Sequence, residues 1–201
     1  MTTIEFRPWP KIARLNRDII ISEKLDGTNA AIQIVAGYVS DSQEGCVSGE
    51  FYDGVFYKVA AQSRNRIITA KDDNHGFAAW VGENSQELVN TLGPGTHFGE
   101  WWGRKIARGY DKTNRTFSLF NTSRWTYENT QGVDGLSVVP TLYTGPMSTY
   151  AINAEVNFLT VYGSQAAKGF MRPEGVVIFH TASNVMFKVT LENDDKPKGQ
   201  S

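Results

Sequence analysis

The sequence predicts an α+β domain made mostly of antiparallel sheets flanked by helices. Short β-branched and apolar runs recur between Gly, Asn and Asp, two other stretches carry helical spacing, and no internal repeat or low-complexity linker divides them. A strand-rich order with interspersed helices is the α+β pattern. In chain order, Ile19 to Ser22 and Ala30 to Val35 are the first strand-like runs. Phe77, Val81, Leu88 and Leu92 then recur at multiples of about four between Gly76 and Gly93, so helix is expected there. Phe117 to Phe120 is a short aromatic strand, and Ile152, Val156 and Leu159 after Ser148 mark the second helix. Both helices are expected to pack across a sheet. Val176 to Phe179 and Val185 to Val189 close the series as strands. Gly93-Pro94-Gly95, Gly145-Pro146 and Arg172-Pro173 punctuate the intervals. One domain is therefore expected over residues 1–191, with residues 192–201 a tail polar enough to stay disordered.

The chain has 201 residues, 40% of them apolar, enough to bury a core of its own. Its 20 Lys and Arg against 21 acids give a net charge of -1, which excludes a passive, uniformly basic nucleic-acid coat. Contact with nucleic acid must then be local. Arg104, Lys105, Arg108, Lys112 and Arg115 form one basic patch opposed in sequence only by Asp111, and Lys58, Arg64 and Arg66 form a smaller one. Both are expected to touch phosphate. Cys46 has no disulfide partner, and His75, His97 and His180 are too scattered to make a zinc set with it. No run approaches the roughly 18 apolar residues of a membrane span, and the N-terminus lacks a signal-peptide core, so a soluble, cytoplasmic protein is expected.

The chemistry concentrates in Ser22-Glu23-Lys24-Leu25-Asp26-Gly27-Thr28-Asn29, a polar island between apolar runs. A tight turn carrying Asp-Gly would explain it alone, because that pair supplies the required backbone angles. Its weight comes from the order of four downstream segments. Phe98-Gly99-Glu100-Trp101-Trp102-Gly103 sets a carboxylate at the end of an apolar run, and Phe117-Ser118-Leu119-Phe120 is aromatic. Pro173-Glu174-Gly175-Val176-Val177-Ile178 places a second acid before a strand, and Met186-Phe187-Lys188-Val189 a lysine within one.

In this order the segments resemble motifs I, III, IIIa, IV and V of the covalent nucleotidyltransferases, the superfamily of ATP-dependent DNA ligases, RNA ligases and capping enzymes. The resemblance covers Glu23 to Lys188, and the Lys-x-x-Gly-Thr-Asn form with Gly-Glu-Trp-Trp-Gly is similar to the nick-sealing RNA ligases. It implies a ligase-type nucleotidyltransferase fold in which Lys24 attacks the α-phosphate of ATP and becomes joined to AMP. It further implies Glu174 supporting Mg²⁺ or Mn²⁺ through its water shell, Glu100 on the ribose hydroxyls, Glu23 with backbone groups on the adenine edge, and Lys188 beside the phosphates. Asp26 and Gly27 complete the motif, Asn29 would bind a phosphate or cap its own turn, and Arg64, in the place of motif Ia, would contact a phosphate or sugar. Either Phe117 or Phe120 would stack on the purine; their odd separation puts them on opposite sides of a strand, and the sequence does not choose. The acceptor would be nicked or broken RNA or RNA/DNA duplex ends, touched by Arg64, Arg104, Lys105 and Arg108. Guanylyl transfer, or a module that binds nucleic-acid ends without chemistry, are the rival readings.

Such chemistry makes physical demands. A lysine amine attacks only when neutral, and at the reference pKa of about 10.4 that form costs roughly 4 to 5 kcal/mol at pH 7. The triphosphate needs cations, and magnesium prefers carboxylate oxygens and retained waters to histidine. Two departures from the family pattern stand out: Thr190 replaces a second motif V lysine, and Asn121 replaces an acid after motif IIIa. Residues 189–201 are too few for an appended C-terminal domain, so a bare core is expected, which either seals nicks using its own basic patch or works with a second protein that supplies that domain's function.

Overall fold

The computed structural model describes residues 4–41 and 43–192. Its strands in chain order are β1 (Asp18–Lys24), β2 (Thr28–Gly37), β3 (Ser48–Tyr52), β4 (Val55–Ser63), β5 (Ile67–Ile68), β6 (Gly95–Gly103), β7 (Arg115–Leu119), β8 (Leu136–Val138), β9 (Thr141–Pro146), β10 (Gly175–His180) and β11 (Val185–Thr190). The helices are α1 (Phe77–Glu83), α2 (Ser85–Leu92), α3 (Tyr127–Thr130) and α4 (Thr149–Tyr162). This is α+β, and every strand pair is antiparallel except β7 with β8. The small sheet runs β11-β10-β1-β9; the large one runs β3-β4-β2-β6-β7-β8, with β5 paired to β4.

Alternation sorts each strand into two faces. On β2, Ala30, Ile32 and Ile34 are buried with Trp101, Phe117 and Leu119 against Phe77, Val81, Leu88 and Leu92 of α1 and α2. The helical stretch expected between Gly76 and Gly93 is therefore two helices. Asn84 ends α1 by donating its backbone N–H (3.1 Å) and its side-chain amide (2.8 Å) to Trp80 O, and α2 restarts at Ser85. The second expected helix is α4, begun by the Ser148 hydroxyl accepting from Ala151 N at 3.3 Å. Its Leu159 packs with Ile19, Ile21, Val176 and Ile178 of the small sheet.

A third cluster, Leu25, Trp102, Tyr110, Val139 and Phe170, lies where the two sheets meet. It seats the turn between β1 and β2, so the chemistry-bearing island bridges the sheets. Of the expected tail, Glu192 is described and residues 193–201, with Lys196 and Lys198, lie outside the described residues.

Candidate active site

Lys24 is the last residue of β1, opposite Gly175 of β10. That register brings it to Glu174: Lys24 Nζ lies 2.6 Å from Glu174 Oε2, with the two side chains 20% and 13% exposed. The rows Lys24-Gly175-Thr190 and Ser22-Val177-Lys188 share one face of the small sheet, because directly opposed residues point the same way. Lys188 thus stands on the Lys24 face, two strands across and one row back, and is exposed. Gly175 is obligatory: a Cβ there would meet Val189 O at 2.1 Å, so only glycine lets β11 close on β10 beside Glu174.

The turn beyond Lys24 is tied down residue by residue. Asp26 N donates to the Tyr110 hydroxyl at 2.8 Å and Gly27 N to Glu100 Oε1 at 3.1 Å. Arg108 donates to Asp26 Oδ2 at 3.1 Å, to Arg172 O at 3.1 Å and to Glu192 Oε2 at 3.4 Å. One guanidinium therefore joins the motif I turn, the approach to Glu174 and the segment after β11. Arg108, expected at a nucleic-acid contact, makes these internal bonds as well as keeping 24% of its side chain exposed. Asn29 lies directly opposite Glu100 across β2 and β6, and Thr28 Oγ1 accepts from Asn74 Nδ2 at 2.9 Å. Arg108-Gly109-Tyr110 continues the stretch that resembles motif III, though its contact with the turn does not follow from that, and Asn74 carries no sequence signal; the fold brings both Tyr110 and Asn74, from far along the chain, onto the turn.

Glu23 occupies the other face of β1, fully buried. Its Oε2 accepts from Gln165 N at 2.8 Å and Ala166 N at 3.0 Å, while Oε1 is buried without a hydrogen bond. Burial raises its pKa, against the lowering pull of the Ser164 hydroxyl and the two backbone N–H groups. Glu100 is pushed up to about 7, first by burial and then by the Glu174 and Asp26 charges, with the Gly27 N–H and the Lys24 charge opposing. Because its folded pKa lies above the ordinary value of 4.5, the native state holds this proton more tightly than the unfolded chain. Stability from Glu100 is thus present in full below the unfolded value and lost as pH rises through about 7. The melting temperature should fall between pH 5 and pH 8 by an amount worth about 1 to 3 kcal/mol after solvent screening, and Glu100→Gln should flatten that slope in a thermal melt series.

The aromatic alternative resolves on burial. Phe117 is 0% exposed, with ring centroids 5.0 Å from Phe77 and 6.0 Å from Trp80. It is core, and its expected part in stacking is corrected accordingly. Phe120, one residue past β7 and 37% exposed, follows Ser118 on the opposite face, where Ser118 lies across from Glu100. Phe120 N donates to Phe98 O at 3.0 Å, which holds it in line with that face. Arg64 is exposed just beyond β4, and Arg104 and Lys105 are exposed just beyond β6.

Among the described residues no group of three or more His, Cys, Asp or Glu side chains forms a ready metal cage. Glu174 offers a carboxylate of the kind a hard divalent ion takes through retained waters. A cavity of about 560 Å³ lies beside Trp102, Ser118 and Gln165 and includes neither Lys24 nor Glu100 nor Glu174. Chemistry and not volume locates the site. No helix among the described residues is long and apolar enough to cross a membrane.

Two largely antiparallel sheets joined by a turn that presents a lysine to a carboxylate define a covalent nucleotidyltransferase domain. The chain belongs to the RNA ligase family, whose model matches residues 17–190. Solved structures with the same fold include variants of the Naegleria gruberi RNA ligase. One, with ATP and manganese, has a TM-score of 0.55 at 14% identity, covering 92% of this chain and 53% of that one. A second, also with ATP and manganese, has a TM-score of 0.52 at 15% identity, covering 90% and 52%. A third, with AMP and manganese, has a TM-score of 0.51 at 15% identity, covering 92% and 53%. The chain thus spans about half the length of these ligases. No curated protein matches it.

Proposed function

We propose that the chain is an ATP-dependent RNA-ligase adenylyltransferase with Lys24 as nucleophile. The 2.6 Å pairing of Lys24 with Glu174, in a site closed on its other side by Glu100 and Gly27, carries this reading. The nitrogen of Lys24 forms a bond to the α-phosphorus as the bond to pyrophosphate breaks, and Glu174 is the nearest acceptor for the amine proton. AMP then passes to a 5′-phosphate of a nicked or broken RNA or RNA/DNA duplex, and a 3′-hydroxyl displaces it to seal the strand. A divalent ion of the Mg²⁺ or Mn²⁺ kind, held by Glu174 and Asp26 through water, would neutralise phosphate charge. Lys188 would add positive charge toward the phosphates, a role supported by its lying on the same sheet face as Lys24. Glu100 accepts from the ribose hydroxyls, and the buried Glu23 Oε1 is an acceptor suited to an exocyclic amine, which adenine offers at a position where guanine carries an oxygen.

Incubation with α-labelled ATP and a divalent metal, followed by denaturing electrophoresis, tests this. A label on Lys24 that survives alkali and is released by acid, as a phosphoramidate should be, is expected, stronger from ATP than from GTP; absence of label from both would remove the reading. Phe120 is the base platform in this scheme. Stacking is worth roughly 1 to 3 kcal/mol per base, so Phe120→Ala should raise the ATP concentration for half-maximal labelling about 5- to 150-fold while Phe117→Ala chiefly lowers the melting temperature.

A further inference from the structure

Helix α4 is apolar on its outer side as well as on the side that packs. Ile152, Val156 and Leu159 face the small sheet. At about 100° per residue, Tyr150, Phe158, Val161 and Tyr162 gather within roughly 120° of one another on another side of the helix. All four are exposed, and the rings of Phe158 and Tyr162 pack together at 5.0 Å. In 14 residues the helix carries one charge, Glu155. A surface helix ordinarily turns charges outward, whereas one that is apolar all round is covered on both sides. The small sheet continues this surface. Val185 and Phe187 of β11 stand in register with Ile19 and Ile21, which pack with α4, and are themselves exposed.

Residues 4–17 leave the fold beside the start of this helix. Arg17 O accepts from Met147 N at 2.9 Å, one residue before the Ser148 that caps α4, and Leu15 O accepts from His180 Nε2 at 2.8 Å. Upstream the segment stands clear of the fold as an arm, with Phe6, Trp9 and Ile12 between 84% and 89% exposed. These three and Leu15 recur at every third residue. Pro8 and Pro10 hold the chain extended, since each fixes its own φ and restricts the residue before it. A three-residue period in such a segment sets one side chain per turn along a common edge. The arm thus presents an apolar edge of its own. It is also basic: four of the chain's 20 Lys and Arg and one of its 21 acids fall in residues 1–17, which leaves +3 there and -4 on residues 18–201.

We infer that α4 and the arm form the interface of a homodimer in which the arm of each copy lies along α4 of the other. A proline-bearing extended segment with a tryptophan at its centre is the kind of ligand that an aromatic-lined surface binds, because its conformation is largely set before binding. Charge favours a second copy, since the basic arm meets a body of opposite net sign. Area favours it too. Phe6, Trp9, Tyr150, Phe158 and Tyr162 offer roughly 700 Å² of exposed aromatic surface per copy, close to the ~800 Å² per partner of a stable interface. A lipid surface fits less well, because helices that lie on membranes carry cations beside the apolar stripe and α4 has none. Lys24 alternates to the face of β1 opposite Ile19 and Ile21, so the dimer leaves the nucleotide site open.

Sedimentation equilibrium of the full chain over a concentration series tests this with the parent, Trp9→Ser and Tyr150→Asp. Both positions are exposed, and an acid in the first turn of a helix is favourable, so both variants should fold. The parent is expected to reach the mass of two chains. Removing an anchor residue weakens a contact about 30-fold, and a dimer contains two arm-on-helix contacts, so each variant should raise the dissociation constant about 1000-fold. An equimolar mixture of the two variants is the decisive sample. A mixed dimer regains one intact arm on one intact helix and should form about 30-fold more tightly than either variant with itself. Labelling from ATP should stay within about twofold of the parent in both. A monomeric parent, as an arm folded onto its own helix would give, overturns the dimer. A variant that associates as tightly as the parent, or a mixture no tighter than its components, overturns the exchange of arms.

Discussion

Lys24→Ala is expected to abolish formation of the labelled adenylate, a loss of at least about 1000-fold, because no other amine among the described residues reaches the same place. Lys188 is two strands away across β10, and Arg108 is committed to Asp26, Arg172 and Glu192. Lys24→Arg separates nucleophilicity from charge. A guanidinium can keep the partnership that Lys24 makes with Glu174 at 2.6 Å, yet it stays protonated in proteins and cannot attack. Both variants should fold, as judged by thermal melts and circular dichroism, and both should fail to label. A label that persists in Lys24→Arg would show that the acceptor is elsewhere in the chain.

How much of the fold and site is legible in the sequence depends on the range of the interaction. The strands around Ile19, Ala30, Phe117, Val176 and Val185 stand where apolar runs put them, because burial on a sheet face writes itself locally. The order of Lys24, Glu100, Glu174 and Lys188 is visible for the same reason, each being flanked by glycine or by a strand. The hairpin of β3 and β4 is missing from the expected strands although Asp53-Gly54 signals it: both residues have positive φ, 49° and 75°, as a two-residue hairpin turn requires. Asp26-Gly27 has the same composition as such a turn, and there neither residue has positive φ. Contact between distant segments leaves no local trace. Tyr110 on Asp26, Arg108 on three segments at once, and Asn74 on Thr28 are each single polar residues whose partners exist only once the sheets are joined. The choice of Phe120 over Phe117 likewise depends on which face of β7 meets α1.

Gly27→Ala should be nearly as damaging as loss of the lysine, for a steric rather than a conformational reason. A Cβ at position 27 would sit 2.4 Å from Trp101 O and 2.7 Å from Trp102 Cβ, far inside any real contact. Neither neighbour can yield, since Trp101 is paired to Thr28 across β2 and β6 and Trp102 is packed in the junction cluster with its Nε1 donating to Ser118 Oγ at 2.8 Å. The turn must move instead, and with it the Gly27 bond to Glu100 and the alignment of Lys24. A displacement near 1 Å costs about 100-fold in rate, and overpacking costs roughly 1 to 3 kcal/mol in stability. Gly54→Ala separates the two effects. Gly54 has φ 75° with nothing within 4 Å of an added Cβ, so the same mutation there brings left-handed strain of roughly 1 to 2 kcal/mol far from Lys24. Comparable melting losses with adenylylation lost only in Gly27→Ala are expected. Equal adenylylation losses in both would mean that general destabilisation, rather than the seat of the turn on Trp101 and Trp102, governs the reaction.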